Sequence, residues 1–309
     1  MNDTAALLMT TRPVPRWQRS RMTCSVSIVI PSRTGRLDSL RAQLARQSLQ
    51  GWELAVVAGV SPAARARNLG AAQVRGDILI FLDDDITFGH AQVLAELVKA
   101  LESLGPYAAV GAPRIAANMT GLMGRAVLPE HQPLDHVGPT EVSWHTVGTS
   151  CFALRRQAFL ELGGFDEQLV SGEDYELSYR LVQRGGAIYA LGSSWVYYYP
   201  PATMREIIQK IVWYEWGNAQ VARKHPQAGY RLPLASRWHA AAYLALRTAA
   251  VVPLMFVQVS YHHRRPRLAF QPQAALCSYL GAWVYCWSWF AHRPAAPPRA
   301  PARAGASTA

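Results

Sequence analysis

The sequence predicts an α/β fold built on a mainly parallel sheet, and three observations carry that expectation. Short β-rich apolar runs alternate with helix-periodic segments of about 10–15 residues. Half of the 309 residues are apolar, enough for a sizeable core. An acidic triplet closes one of the apolar runs, at a point where a strand feeding a helix would end. Strands joined through helices of that length make right-handed crossovers, which is what sets them parallel.

Taken in order, Val26 to Ile30 in VSIVIPSRTGR is a first strand stopped by Pro31, and Leu37, Leu40, Leu44 and Leu49 continue in helical spacing. WELAVV, from Trp52 to Val57, is a second strand. SPAARARNLGAAQV supplies a helix with Ser61 as N-cap and Pro62 at its first position. DILIFL is a third strand, so the three acids of FLDDDITF fall at its carboxyl-terminal end. Val93, Leu94, Leu97, Val98, Leu101 and Leu104 then mark a packing helix ended by Gly105-Pro106. Pro113 to Pro139 has no sustained period and reads as a long loop near the active site. VSWHTVGTSCFALRR resumes β character, QAFLELGGFDE is a short helix capped by Gly163-Gly164, and GEDYELSYRLVQRGG opens the next helix.

Basic residues outnumber acidic ones 31 to 20, for a formal charge of +11. From Arg231 onward there are nine arginines and no acid, so the rest of the chain is nearly neutral. That distribution excludes a nucleic-acid-coating protein. Cys24, Cys151, Cys277 and Cys286 show no CxxC pairing, and they predict reduced thiols rather than a zinc site or a disulfide framework. The histidines, among them His131, His136, His145 and His262-His263, read as loop and surface residues. Neither a P-loop nor a G-x-G-x-x-G fingerprint is present, nor a Gly-rich loop of the kind a nucleotidyltransferase places after its first strand.

Taken alone, three Asp after a strand read equally as a solvated turn, and a lone GED as a helix-stabilising first turn. In combination they point to chemistry. Asp83 and Asp85, with one residue between, can share a hard divalent cation that keeps waters and binds phosphate oxygens. Glu173-Asp174 opens a helix after Gly172, where exposed N–H groups favour an ionised carboxylate that can act as a general base.

These segments resemble the family 2 glycosyltransferases, inverting enzymes of GT-A fold, over about Ser25 to Pro226. The resemblance rests on VSIVIPSR, on RARNLGAAQVRGDILIFLDDD leading into a DXD motif, and on GTSCFALRRQAFLELGGFDEQLVSGEDYELSYRLVQRGG ending in an ED motif. It implies a nucleotide-diphospho-sugar donor and a lipid-linked or saccharide acceptor in cell-envelope, polysaccharide or glycolipid synthesis. It implies Asp174 as catalytic base with Glu173 beside it. Pro31, Arg33, Arg67, Asn68, Asp83 and Asp84 would line the donor site, and Asp85 with Asp83 would hold Mn²⁺ or Mg²⁺. Two departures stand out. No carboxylate lies between Glu53 and Asp77, where relatives contact the nucleotide, and Tyr198 or Tyr199 stands where a metal-binding His is usual. Those departures motivate an alternative, a non-catalytic nucleotide-sugar or partner binder.

The expected organisation is a disordered basic tail (1–23), the GT-A catalytic domain (24–230), an apolar arginine-containing helical region (231–292) and a disordered tail (293–309). WHAAAYLALRTAAVVPLMFVQV and AALCSYLGAWVYCWSWF in the third segment approach the ~20 residues that span a bilayer. A basic loop between them argues instead for helices lying in an anionic membrane surface on the cytoplasmic face, the alternative being a soluble helical pair packed on the catalytic domain or on a dimer partner.

Overall fold

The structure, a computed structural model, describes residues 24–117, 138–201, 203–259, 266–268 and 272–291. These fall into two compact units, one of residues 24–115, 138–168 and 173–198, the other of residues 116–117, 169–172 and 199–291. Most of the Pro113–Pro139 stretch, with His131 and His136, lies outside the described residues, as do both tails and His262-His263.

The first unit runs β1 (Val26–Ser32), α1 (Asp38–Ala45), β2 (Glu53–Ala58), α2 (Ala63–Gln73), β3 (Ile78–Leu82), β4 (Ile86–Phe88), α3 (Val93–Glu102) and β5 (Ala108–Gly111). It continues through β6 (Arg114–Ala116), β7 (Pro139–Val142), β8 (Cys151–Arg155), α4 (Arg156–Glu161), α5 (Glu173–Gln183), β9 (Ala187–Leu191) and β10 (Val196–Tyr198). Seven strands form one sheet in the order β2-β1-β3-β8-β5-β9-β7. β1, β2 and β3 are parallel, β8 runs against both β3 and β5, β9 is parallel to β5, and β7 opposes β9. The sheet is thus mixed but mostly parallel, with β8 and β7 reversed. β4, β10 and β6 make a separate small sheet.

Period-2 alternation divides the core between the two faces of the large sheet. Ile28, Ile30, Ile78, Ile80 and Leu82 pack with Leu40, Leu44, Leu94, Leu97 and Leu101 from α1 and α3. Val29, Leu79 and Phe81 pack with Ala64, Ala71, Phe159, Leu177 and Leu181 from α2, α4 and α5. With both faces covered, the central strands read as continuous apolar runs. Gly70 lets α2 lie close on the sheet, since an added Cβ would stand 2.5 Å from Val29 Cγ1.

Two local expectations shift. Pro31 does not stop the first strand, because β1 extends to Ser32 alongside β2. The β1–β3 ladder has already ended at Val29↔Phe81, so the missing N–H of proline costs nothing on that side. The second helix starts one residue late. Pro62 keeps extended ψ of 173° and is itself the N-cap, so Ser61 is outside the helix.

The second unit holds α6 (Met204–Lys224), a 3-10 turn (Pro226–Ala228), α7 (Arg237–Leu254), the hairpin β11 (Val257–Val259) and β12 (Pro266–Leu268), and α8 (Pro272–Phe290). Thr203 opens α6 with a reciprocal capping box, its hydroxyl accepting from the Glu206 N–H while the Glu206 carboxylate accepts from the Thr203 N–H. Ala219 and Ala222 of α6 share a core with Ala240 of α7 and with Tyr285 and Cys286 of α8. The sequence division at 230 therefore separates α6 from the helices that it packs against. No described helix is long and apolar enough to cross a membrane.

Candidate active site

Four segments of the first unit meet at the carboxyl-terminal end of β3. Leu82 is opposite Cys151 in the antiparallel β3–β8 ladder, so the residue after β3 faces the residue before β8. The Asp83 N–H continues that ladder by donating to the Ser150 carbonyl at 3.1 Å. The Ser150 hydroxyl donates in turn to Asp83 Oδ2 at 2.9 Å. From α2, Arg67 reaches Asp83 Oδ1 through Nη2 at 2.8 Å and Glu173 Oε1 through Nη1 at 2.5 Å. Glu173 is the first residue of α5, so one guanidinium joins the end of β3 to the start of α5. Asp174 accepts the Tyr175 N–H on Oδ1 at 2.9 Å and the Thr149 N–H on Oδ2 at 3.3 Å. Gly148 leaves room for that carboxylate, because a Cβ there would stand 2.6 Å from Asp174 Oδ2.

Arg67 is 4 % exposed and still charged. Burial alone would lower its pKa, but Asp83, Glu173 and Asp174 together outweigh burial and hold it above the ordinary arginine value. The reverse holds for the acids. Burial lifts Glu173 above the usual carboxylate range against the pull of Arg67, and the neighbouring Asp174 lifts it further. Burial likewise lifts Asp174, with Asp83 adding to it, while Arg67 and the two N–H donors act in the opposite direction. Three carboxylates therefore confront one guanidinium, and the cluster has a standing appetite for a proton or a second cation. A carboxylate with raised proton affinity at the carboxyl-terminal end of β3, beside antiparallel β8, has the property that a general base needs.

The structure brings Arg67, Asp83, Glu173 and Asp174 together and distributes the other predicted residues differently. Asn68 is not turned to the cluster. Its Nδ2 donates to the Phe165 carbonyl and to Glu167 Oε1, each at 2.9 Å, and its Oδ1 accepts the Phe165 N–H at 2.9 Å, so its amide clasps the turn after α4. Arg67, expected on a donor-facing wall, is instead an interior strut between acids. Pro31 is buried inside β1, Arg33 is exposed just beyond that strand, Asp84 is half-buried and Asp85 is exposed.

Asp83 and Asp85 do not have equal capacity for a divalent ion. Asp83 is held by Arg67 and Ser150, and Asp85, two residues on, is exposed. Among the described residues no group of three or more His, Cys, Asp or Glu is arranged to hold a metal. Mg²⁺ or Mn²⁺ that takes its remaining ligands from phosphate and water needs only one or two carboxylates, and Asp85 fits that requirement. Tyr198, buried in β10 beside Ile86, carries the Arg114 guanidinium 4.4 Å from its ring centroid. Arg114 Nη1 is 3.5 Å from the Ser150 hydroxyl. A fixed cation thus borders the acids at the place where the sequence suggests a third metal ligand. Arg114, Gly148, Thr149 and Ser150 are not singled out by the sequence; the last three carry one signal, GTS immediately before a strand, and Arg114 carries none.

Residues 35–163 match the family described as Glycosyl transferase family 2. The chain is 35 % identical over 133 residues to the O-antigen biosynthesis protein RfbC of Myxococcus xanthus, covering 38 % of this chain and 10 % of that protein. It is 29 % identical over 178 residues to the pre-mycofactocin glycosyltransferase of Mycobacterium tuberculosis, covering 53 % of this chain and 35 % of that one. The chain thus spans from a tenth to about a third of the length of these curated relatives. In fold it is similar to the mannosyltransferase PcManGT of Pyrobaculum calidifontis, solved with GDP-Man and Mn²⁺, at a TM-score of 0.56, 14 % identity, 91 % coverage of this chain and 90 % of that one.

Proposed function

We propose, from the premise that the chain belongs to the family 2 glycosyltransferases and has a GT-A-like fold, that it transfers a sugar with inversion from a nucleotide-diphospho-sugar to an acceptor hydroxyl. The acceptor is a saccharide or lipid-linked saccharide of envelope polysaccharide synthesis, a reading supported by the relative named for O-antigen biosynthesis. The observation that carries the mechanism is the convergence of Asp83, Glu173 and Asp174 on one buried arginine at the end of β3.

In this reading the acceptor oxygen attacks the anomeric carbon from the face opposite the diphosphate. Its proton passes to a carboxylate oxygen of Asp174 as the new C–O bond forms and the sugar–phosphate C–O bond breaks. Glu173, held by Arg67, fixes the start of α5 and thereby the position of Asp174. Asp83, oriented by Arg67 and Ser150, faces the ribose and diphosphate side. A divalent ion at Asp85 would supply charge neutralisation of the departing diphosphate. Arg114 would add a fixed positive charge on the same side, which fits a site with few protein ligands for metal.

The test is calorimetry against UDP-, GDP- and dTDP-sugars with and without Mn²⁺, followed by turnover of the bound donor. Asp174→Asn should keep donor affinity and lose about 10²–10⁴-fold in turnover, the usual range for general-base catalysis. Donor affinity falling in parallel with turnover would remove Asp174 from the role of base.

A further inference from the structure

A helix at the surface of a soluble unit normally buries its apolar stripe and shows water its polar one. α7 buries such a face, with Ala240 fully buried and Tyr243 and Leu244 packed against the same core, but it carries a second apolar face outward: Trp238, Ala241, Ala242, Ala245, Leu246, Ala249 and Val252 are all exposed. These positions recur every three or four residues, so they form a single unbroken stripe. Trp238 is 85 % exposed and Leu246 68 %. α8 repeats the pattern. Leu276, Trp283 and Trp287 are exposed at offsets of seven and four, and the half-buried Leu280 lies between the first two. Trp287 is 63 % exposed although it also meets Trp216 edge-on.

The two helices form one piece. Arg247 of α7 donates to the carbonyl of Ser278 at 3.1 Å and to its hydroxyl, and Thr248 and Tyr279 share a hydrogen bond of 2.9 Å. Arg247 is thereby held at the α7–α8 seam and stays out of the apolar stripe.

We infer that the exposed stripes of α7 and α8 are a docking surface for an anionic lipid bilayer, with both helices lying in the interface. Charge selects the occupant. From Arg231 onward the chain has nine arginines and no acid, which suits anionic headgroups. A second copy would bring a second acid-free basic segment against the first. Tryptophans at both stripes suit the headgroup boundary, where an amphipathic ring has one apolar side and one wet side. Lying in the plane also agrees with the absence, among the described helices, of any long and apolar enough to cross a membrane. The inference does not depend on the transferase chemistry, and it explains how a lipid-linked acceptor would be met.

The experiment is co-sedimentation of the full chain with phosphatidylcholine vesicles, with and without about one third phosphatidylglycerol, at low and high salt. Leu246→Glu and Trp287→Glu, both at exposed positions, are compared with the wild-type chain, and nucleotide-sugar binding in solution monitors their folding. The expected result is binding to the anionic vesicles that weakens with salt and falls at least about tenfold in each variant, because a carboxylate opposes both the apolar and the anionic part of the surface. Tryptophan fluorescence should shift to the blue on binding. Wild-type protein that ignores anionic vesicles would overturn the inference. So would variants that bind as well as wild type, since binding would then belong to the arginines alone. Concentration-dependent dimers abolished by Leu246→Glu, with no vesicle binding, would assign the surface to a second copy instead.

Discussion

Replacing Arg67 with methionine keeps much of the side-chain volume and removes the one positive charge that Asp83 and Glu173 share. Asp83 is 16 % exposed, Glu173 9 % and Arg67 4 %, so neither acid can turn fully to water once the arginine is gone. Breaking a buried ion pair by deleting one partner costs about 3–5 kcal/mol, and Arg67 serves two partners directly with Asp174 nearby, so the upper part of that range is expected. The loss must depend on pH. Glu173 and Asp174 already have folded pKa values above their ordinary ones, and without Arg67 those values rise further. An acid with a raised folded pKa stabilises the fold below its unfolded pKa, and that contribution is lost as pH rises through the folded value. The deficit of Arg67→Met should therefore be small in acid and grow from the ordinary carboxylate range upward, reaching its full size once the raised pKa values are passed. Urea unfolding at a series of pH values measures it. Adding Glu173→Gln should recover part of the loss, as expected for neighbours in one network. A deficit below about 1 kcal/mol, flat in pH, would mean that the acids relax into solvent and that Arg67 does not organise the site.

The acid limb of turnover should lie above the usual carboxylate range because burial raises Asp174, with activity lost as pH falls through that raised value; a pH–rate profile checks it, and Asp174→Asn should abolish the limb. Gly148→Ala places a methyl against Asp174 Oδ2 and should cut turnover by at least about tenfold with little change in donor affinity, because a small misplacement of a reacting group is expensive. Ser150→Ala removes the hydroxyl that donates to Asp83 and should weaken donor binding by about 1–2 kcal/mol, read by calorimetry. If Arg114 shares the neutralisation of the diphosphate, part of the activity should survive excess chelator, and Arg114→Gln should abolish that part; a total, metal-restorable loss in the wild type would count against the role.

The strands of the first unit were legible because buried parallel strands write themselves as apolar runs, and the helices because leucines at 93–104 keep helical period. The acidic constellation was legible for a different reason. Carboxylates placed just after a buried strand and at the start of a helix are conspicuous against an otherwise near-neutral catalytic region. What sequence could not assign was how the charges are shared. Arg67 and Asn68 are adjacent on α2 and looked alike as donor-lining residues, yet one turn geometry sends the first to Asp83 and Glu173 and the second to the backbone of Phe165. Gly148, Thr149 and Ser150 became meaningful only through the antiparallel entry of β8, a long-range pairing that no local pattern announces.

The second unit shows the same limit from the opposite side. Its sequence suggested a membrane, because two apolar stretches, the first interrupted by Arg247 and Pro253 and the second uncharged and aromatic-rich, flank a basic one, and hydropathy alone would let either stretch span or lie flat. The structure adds the angular distribution of the side chains. In α7 Ala240 faces inward with Tyr243 and Leu244, into the core that holds Tyr285 and Cys286, while the large Trp238 and Leu246 face out. A helix buried in a larger core would place its bulky residues inward and its small ones wherever packing allowed, since large side chains contribute most on burial. α7 therefore packs one apolar face against the unit and leaves a second, with Trp238, Leu246 and Val252, exposed, and a contiguous exposed apolar patch marks an interaction surface.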